Sequence, residues 1–417
     1  MKLLIKSAKI IQPSSEFHQQ TVDLLIENGI ISSIKSKIEE KVDQTIEFEN
    51  LHLSEGWFDS SVSFGEPGYE ERETLENGLQ TAAKSGFTQI GLNSNINPIA
   101  DHASAINFLQ KENNKQAVSV YPIAALTKNS EGNDLAEVYD MQNAGAVSFY
   151  DYKKAVSNPN LLKIALQYVQ NFGGLVQSFP LDKSIAHKGY VHENKQSTIL
   201  GLKGIPSFAE ELQISRDLHI LEYTGGKLHI PTISSKKSVQ LIKEAKKKGL
   251  DVTCSVAVHQ LIFNNDKLDT FNSHFKVMPP LRSKEDQKAL IKGVKDGVID
   301  MVTTDHTPID IENKKVEFES ALFGTIGLES AFGTLNNLLG LEKTIEVFTK
   351  NKNRFHIPSF QIKEGEVANF TFFNPEGDYT FTHQHIYSSS KNSMFLDYTL
   401  SGKVLGVYAE KNLIINE

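Results

Sequence analysis

The chain has 417 residues, enough for one large domain and a smaller one, and its content of hydrophobic (39%) and charged (23%) residues is ordinary for a globular protein. Its net charge of −8 argues against nucleic-acid binding, which normally needs a basic face. A single cysteine, Cys254, excludes internal disulfides and a cysteine-rich zinc site. No apolar run approaches the roughly 20 residues of a membrane span, and the lysine-interrupted start is no signal peptide, so we expect a cytoplasmic protein without membrane contact.

The first 50 residues alternate apolar and polar side chains, as β-strands do, and Asn28-Gly29 is typical of a hairpin turn. The end of the chain, from the stretch EVANFTFFN onward, alternates in the same way. Strand-forming segments at the two ends of a chain commonly pair with each other. We therefore expect residues 1–50 and 358–417 to form one small β-sandwich domain, with residues 51–357 as a second domain between them.

Within residues 51–357, short apolar segments alternate with amphipathic helices, from HLSEGWFDSSVSF to VIDMVTTDH. Several helices end at glycine with lysine in the last turn, as in KKSVQLIKEAKKKGL. Eight such units predict an α/β fold, a (β/α)₈ TIM barrel. A doubly wound open sheet is the alternative fold, but no glycine-rich phosphate loop follows the first strand.

The active site of such a barrel lies at the carboxyl ends of its strands, and the predicted ends are polar but poor in metal ligands. Zinc is bound by imidazole, thiolate and carboxylate groups. The residues at these ends are Asp59, Ser61, Ser63, Asn93, Asn95, Asp151, Ser178, Thr232, His259, Asp305 and His306. If Thr232 faces the barrel interior, strand alternation points His229 outward, and one remaining imidazole, His259, does not make a zinc site.

Several stretches together resemble the dihydroorotases of the amidohydrolase superfamily, nearly from end to end. The stretch EGWFDSSVSFGEPG is similar to a family motif that contains a His-x-His pair and an arginine. The stretch MPPLRSKEDQKALIKGVKDGVIDMVTTDHTP is similar to the family's Asn-Pro-Pro-Leu-Arg motif, its following helix and its Thr-Asp-His-Ala-Pro-His motif. The stretch LFGTIGLESAF also fits the family.

This resemblance implies a site with two zinc ions and the interconversion of carbamoyl aspartate and dihydroorotate, with an aspartate of the last barrel strand moving the proton. The four ligand histidines fall on Ser61, Ser63, Ser178 and Thr232. The family's bridging carboxylate falls on Asp151 and its catalytic aspartate on Asp305, which is vestigial if the metals are lost. The resemblance implies that Asp151 and Asp305 are the retained metal-ligand positions of a barrel of the metal-dependent hydrolase type. Of the substrate positions, Asn95 matches the family, whereas Gly65, Met278 and Ile309 replace an arginine, an asparagine and a histidine.

Because metal ligands and substrate contacts are replaced together, we expect a dihydroorotase homologue of de novo pyrimidine biosynthesis that binds no cofactor and is catalytically inactive. Its expected role is structural or regulatory, as a partner of aspartate carbamoyltransferase, and we expect a homo-oligomer. The alternative is an active cyclic-amide hydrolase with an atypical metal site. In that case Asp59, Asp151 and Asp305 bind a hard cation such as Mg²⁺, or Asp151 and Asp305 perform acid–base chemistry without metal.

Overall fold

The computed structural model describes residues 2–111, 113 and 115–416. Strands from both chain ends pair in one mainly antiparallel sheet of eight strands, as the alternation of their side chains predicts. Its amino-terminal members are β1 (Lys2–Ile10), β2 (Thr21–Glu27), β3 (Ile30–Lys35), β4 (Gln44–Ile46) and β5 (His52–Glu55). These five strands surround a small apolar core of their own together with the carboxyl-terminal strands.

A second sheet consists of eight parallel strands and closes into the predicted barrel. Its strands, in spatial order, are β6 (Trp57–Val62), β7 (Phe87–Leu92), β8 (Ser119–Ala124), β9 (Ser148–Phe149), β10 (Leu175–Gln177), β13 (Lys227–Ile230), β14 (Val252–Ala257) and β15 (Met301–Thr303), with a separate pair, β11 (Val191–His192) and β12 (Gly204–Ile205), between β10 and β13. A parallel bridge between Val62 and His306 joins the first and last barrel strands. The (β/α)₈ fold is thereby confirmed.

The segment predicted as one first barrel strand is two strands, β5 and β6, divided at Gly56. A Cβ atom at Gly56 would lie 2.0 Å from Asn369 Oδ1 and 2.1 Å from Thr88 Oγ1, so only glycine fits where the chain passes from one sheet to the other. The carboxyl-terminal strands are β16 (Phe370–Thr380), β17 (Thr399–Ala409) and β18 (Asn412–Ile415). β5 pairs with β16, which connects the two ends of the chain directly.

The helices of the described chain, in order, are α1 (Leu75–Lys84), α2 (Ala103–Leu109), α3 (Val138–Asn143), α4 (Pro159–Val169), α5 (Lys183–Ala186), α6 (Lys195–Ile199), α7 (Phe208–Thr224), α8 (Lys236–Lys247), α9 (Val258–Ile262), α10 (Lys284–Lys295), α11 (Ile311–Lys314), α12 (Leu328–Leu339) and α13 (Leu341–Thr349). Their starts follow from local chemistry. Ser283 and Asp286 cap α10 reciprocally, each side chain accepting the other's backbone N–H. In the part of the chain that the structure describes, every helix is too short or too polar to span a bilayer.

Apolar clusters fill the barrel at both ends. Phe58, Leu175, Met301, Phe355 and Ile357 pack together in one cluster. We call the end of the barrel at the carboxyl ends of its strands the barrel mouth. A second apolar cluster lies there and contains Ile123, Tyr150, Phe179, Ala186, Ile205, Ala209 and Met278. The candidate site residues lie between and beside these clusters, and most of them are buried.

Candidate active site at the barrel mouth

A buried ion pair crosses the barrel mouth. Lys153 Nζ lies 2.8 Å from Asp305 Oδ2, with the two side chains 12% and 1% exposed. Lys153 follows β9 and Asp305 follows β15, strands on opposite sides of the closed sheet. Burial alone would lower the pKa of Lys153, but the Asp305 carboxylate raises it above its ordinary value. Burial raises the pKa of Asp305, and the Lys153 charge partly offsets that shift, so the two side chains hold each other across the mouth.

Three residues of the mouth have left-handed backbone conformations that non-glycine residues rarely adopt. The φ angles are 52° at Lys153, 47° at Thr232 and 51° at Asp305. Such conformations cost roughly 1–3 kcal/mol each and persist only where the surrounding structure imposes them. These three positions lie at strand ends, from which a barrel enzyme presents its functional groups, although left-handed residues also occur elsewhere in the chain.

The mouth also contains buried polar atoms that have no hydrogen-bond partner within the described residues. They are Asn93 Oδ1, Thr232 Oγ1, Asp305 Oδ1 and both ring nitrogens of His259. Burial, together with the positive charge of Lys153, lowers the pKa of His259 to about 3. The imidazole is therefore neutral at physiological pH, with one nitrogen able to donate and one able to accept.

Asp59 has a structural environment. Its carboxylate accepts hydrogen bonds from the Ser61 and Thr304 backbone N–H groups, at 3.0 and 2.9 Å, and from the Thr303 hydroxyl. Burial raises its pKa, which these donors partly offset. The contacts join β6 to the end of β15, so Asp59 helps to close the barrel.

Asp151 does not face Asp305. Its carboxylate accepts from the backbone N–H groups of Leu126 (3.0 Å) and Thr127 (2.9 Å) and from the Thr127 hydroxyl (2.6 Å). These three donors order the loop after β8. The structure therefore brings Asp305 together with Lys153, a residue that the sequence reasoning missed, and not with the second predicted carboxylate.

Comparison with known proteins identifies the family. Residues 52–238 match a family model described as dihydro-orotase-like. A dihydroorotase of Syntrophus aciditrophicus is 35% identical over 426 aligned residues, covering 100% of both chains. One of Pelotomaculum thermopropionicum is 36% identical, covering 96% of each. The chain belongs to the dihydroorotase-like family.

Solved structures of hydantoinases share the fold of this family member. An L-hydantoinase from Arthrobacter aurescens superposes with a TM-score of 0.85 at 21% identity, over 99% of this chain and 96% of that one. A D-hydantoinase superposes with a TM-score of 0.81 at 19% identity, over 100% and 95%. The predicted barrel fold is thus shared with these solved structures.

The prediction that this protein binds no cofactor is wrong, because the family to which it belongs is zinc-dependent. Dihydroorotase and hydantoinase relatives are zinc-dependent metalloenzymes, so family membership implies zinc. Within residues 2–111, 113 and 115–416, however, no cluster of three or more histidine, cysteine, aspartate or glutamate side chains could hold a metal ion. The residues that the structure places at the mouth do not fit the binuclear zinc site of the family.

Of the side chains at the four predicted ligand positions, Ser61 and Ser63 share a hydrogen-bond donor, and Ser178 and Thr232 lie in separate environments. Asn93 Nδ2 donates to Ser61 Oγ at 3.1 Å and to Ser63 Oγ at 3.4 Å, and Ser63 Oγ donates to Asn95 Oδ1 at 3.0 Å. Ser178 Oγ donates to Asp217 Oδ2 on α7 at 2.6 Å, whereas Thr232 Oγ1 has no partner among the described residues. These hydroxyls therefore do not converge on one point.

The predicted substrate positions are closed. A Cβ atom at Gly65 would lie 1.8 Å from the Tyr69 carbonyl oxygen, so the loop has no room for any side chain there. Met278 packs in the apolar cluster of the mouth, and Ile309 is buried. Asn95, the matching family residue, is half-buried and bonded to Ser63.

Two histidines near the site have structural roles. The His306 ring bonds Glu73 Oε2 at 3.0 Å and accepts from the Gly327 N–H at 3.2 Å. His229 contacts Thr253 Oγ1 at 2.9 Å and packs against Phe355, which belongs to the apolar cluster at the end of the barrel opposite the mouth. The prediction that His229 points outward is wrong, because the chain turns through the left-handed conformation of Thr232 and strand alternation does not extend across such a turn.

Proposed function

We propose that this dihydroorotase-like protein of pyrimidine biosynthesis is catalytically inactive and acts as a structural or regulatory partner of aspartate carbamoyltransferase. The observation that carries this proposal is the ion pair between Lys153 and Asp305. Asp305 stands at the family's catalytic position, and a proton-transferring carboxylate must reach the reacting group within hydrogen-bond distance. Here Asp305 Oδ2 accepts a hydrogen bond from the buried ammonium group of Lys153.

The closed mouth supports the same proposal. Dihydroorotate carries a carboxylate, which a bidentate arginine recognises best. The position that resembles the family's arginine is Gly65, where backbone atoms leave no space for a side chain. Tyr150, Phe179 and Met278 fill the region above the strand ends with apolar surface. A polar, charged ring would have to displace this cluster.

The role beside aspartate carbamoyltransferase rests on the resemblance to inactive family members that accompany that transferase. A barrel that keeps its fold without catalysing a reaction can act as a structural partner, because its helices form a rigid surface to which another protein can bind. The experiment is therefore twofold, with one measurement of catalysis and one of association.

An active cyclic-amide hydrolase with an atypical metal site is the second candidate. Two observations favour it: relatives at 35% identity over the whole chain are named dihydroorotase, and His259 and Asp305 have polar atoms without partners in the described structure. In that case these two side chains would be the groups available to a ligand at the mouth.

The catalytic test is dihydroorotate hydrolysis by the purified full chain, with and without added zinc, beside the Asp305→Asn variant. We expect no turnover above the blank and no effect of the substitution. Turnover that Asp305→Asn abolishes would decide for the second candidate. For association, the chain is mixed with aspartate carbamoyltransferase from the same organism and examined by sedimentation velocity. A faster-sedimenting complex and a raised melting temperature are expected, since a partner that binds the folded state stabilises it.

A further inference from the structure

A cavity lies at the junction of the barrel and the small domain, between helices α1 and α12 and strands β16 and β17. Its volume is about 510 Å³, within the roughly 300–1,000 Å³ of small-molecule sites. The register of β16 against β17 shifts between Asn374 and Asp378, so residues 375–377 lie opposite Gly402 alone. Such bulges are frequent beside functional sites. The cavity is therefore a candidate ligand site, and it is separate from the ion pair at the barrel mouth.

Aromatic side chains form apolar walls of the cavity. They are Phe332 of α12, Tyr379 of β16 and Tyr387, which lies in the loop between β16 and β17. Phe332 is 2% exposed and Tyr387 is 37% exposed, so the walls extend from the core to the surface. Aromatic rings of this kind bind the apolar part of a ligand, while a few polar groups fix its orientation.

A partly buried carboxylate lines the cavity from the first turn of α12. Glu329 Oε1 accepts from the Ser388 backbone N–H at 3.0 Å. Within residues 2–111, 113 and 115–416, the Glu329 carboxylate forms no ion pair. Burial raises the pKa of Glu329, and the nearby His306 partly offsets that shift. A carboxylate in such a place is stabilised by a cationic group that approaches it from the cavity.

A lysine supplies the opposite charge. Lys84 lies in the last turn of α1, and its ammonium group is 4.6 Å from the centre of the Tyr387 ring. In the part of the chain that the structure describes, Lys84 Nζ has no carboxylate partner. Glu329 acts on the same ring, since burial and the Glu329 charge raise the pKa of Tyr387. An ammonium group and a carboxylate therefore lie beside Tyr387 without pairing with each other.

Two polar atoms near Lys84 have no hydrogen-bond partner among the described residues. They are Ser85 Oγ and Asn416 Oδ1, and both residues line the cavity, Ser85 with 3% of its surface exposed. The orientation of the Asn416 amide is fixed, because its Nδ2 donates to the carbonyl oxygens of Lys84 at 2.7 Å and Val404 at 3.0 Å. Ser85 is able to donate and Asn416 Oδ1 to accept, so a ligand with both kinds of group is satisfied here.

We propose that this cavity binds an α-amino acid with an apolar side chain. The ligand's ammonium group pairs with Glu329, its carboxylate pairs with Lys84, and its side chain packs against Phe332 and Tyr379. A zwitterion compensates both charges of the cavity, whereas a simple amine or a simple acid leaves one of them without a partner. The site does not depend on the proposed association with aspartate carbamoyltransferase.

The first test concerns the charges of the ligand. The melting temperature of the full chain, without a partner protein, is measured with L-phenylalanine, L-leucine or L-methionine at millimolar concentration, because a ligand of the folded state raises it. Calorimetric titration then compares L-phenylalanine with phenethylamine and 3-phenylpropionate, each of which carries one of the two charges. We expect both analogues to bind at least about tenfold more weakly, since each loses a charge-assisted hydrogen bond. No stabilisation by any of the three amino acids, or an analogue that binds as tightly as L-phenylalanine, overturns the proposal.

The second test assigns each charge to a residue. Glu329→Gln should weaken L-phenylalanine at least about tenfold and leave 3-phenylpropionate unchanged, whereas Lys84→Met should weaken L-phenylalanine equally and leave phenethylamine unchanged. The glutamine oxygen can still accept from the Ser388 N–H, and far-ultraviolet circular dichroism checks that the fold is intact. Lys247→Met is the matched control, because Lys247 also lies in the last turn of a helix, α8, outside the cavity. If neither Glu329→Gln nor Lys84→Met lowers the affinity for L-phenylalanine, the amino acid binds elsewhere and the proposal is wrong.

Discussion

Lys153 and Asp305 join opposite strands of the barrel across its mouth, 2.8 Å apart and almost entirely shielded from water. Here an ammonium group and a carboxylate from the chain itself connect two of the strand ends. The pair therefore has a structural consequence that can be measured separately from any activity.

Replacing Lys153 by methionine should destabilise the fold by about 3–5 kcal/mol, because it leaves the buried Asp305 charge without its partner. The double variant with Asp305→Asn should recover a large part of that loss, since no uncompensated charge then remains. Urea unfolding of the single and double variants at neutral pH gives the coupling energy. A loss below about 1 kcal/mol for Lys153→Met would show that the pair contributes little.

The barrel could be predicted from sequence because each strand and helix repeats a local pattern, and a single segment was misjudged only where Gly56 divides two sheets. The site was less predictable. Asp151 and Lys153 lie two residues apart after the same strand. The Asp151 carboxylate accepts hydrogen bonds from the loop after β8, whereas the Lys153 side chain crosses the mouth to Asp305. Sequence spacing alone does not reveal this difference. The adjacent residues Asp151, Tyr152, Lys153 and Lys154 signal only that a charged turn follows the strand.

The crowding at Gly65 could not be read from the sequence for a similar reason. A glycine where a relative has arginine indicates a lost contact, but its cause depends on the path of the following loop. That loop returns so closely that Tyr69 N–H donates to the Gly65 carbonyl at 3.0 Å. Whether position 65 can hold an arginine therefore depends on the path of the whole loop, although the contact that blocks it is between residues close in sequence.

Acid should destabilise the protein through His259. Its pKa is lowered to about 3 by burial and by Lys153, so the unfolded chain binds a proton below about pH 6.5 that the folded chain does not. Stability is therefore lost as the pH falls, by up to about 1.4 kcal/mol per pH unit for this one group. Urea unfolding of His259→Phe between pH 5 and 8 should show a shallower decline than the natural sequence.

His306 should show the opposite sign. Burial alone would lower its pKa, but Glu73 raises it above the ordinary value. The stabilisation from this pair is fully present below about pH 6.5 and is lost as the pH rises through the folded-state pKa. His306→Gln should therefore cost more stability at pH 6 than at pH 9. An equal loss at both values would show that the imidazole stays neutral throughout, with Nδ1 accepting from the Gly327 N–H and Nε2 donating to Glu73.

Restoring an arginine at position 65 should damage the fold and not improve function. The Cβ of any residue there would lie 1.8 Å from the Tyr69 carbonyl oxygen, and backbone cannot yield as a flexible side chain can. We expect Gly65→Ala alone to cost about 1–3 kcal/mol or more. The control is Gly174→Ala, where the nearest atoms belong to side chains at 3.0 Å. Similar melting temperatures for both variants would show that the loop adapts easily.

Ser178 and Thr232 stand at two of the family's ligand positions, yet their removal should have different effects. Ser178 Oγ donates to the buried Asp217 carboxylate at 2.6 Å, so Ser178→Ala removes a donor from a buried charge and should cost about 1–3 kcal/mol. Thr232 Oγ1 is buried without a partner in the described structure, and its backbone is left-handed, a conformation that a β-branched residue adopts with strain. Thr232→Ala should therefore be neutral or slightly stabilising. Equilibrium unfolding in urea compares the two directly, and a larger loss for Thr232→Ala than for Ser178→Ala would mean that the threonine hydroxyl binds a group at the barrel mouth.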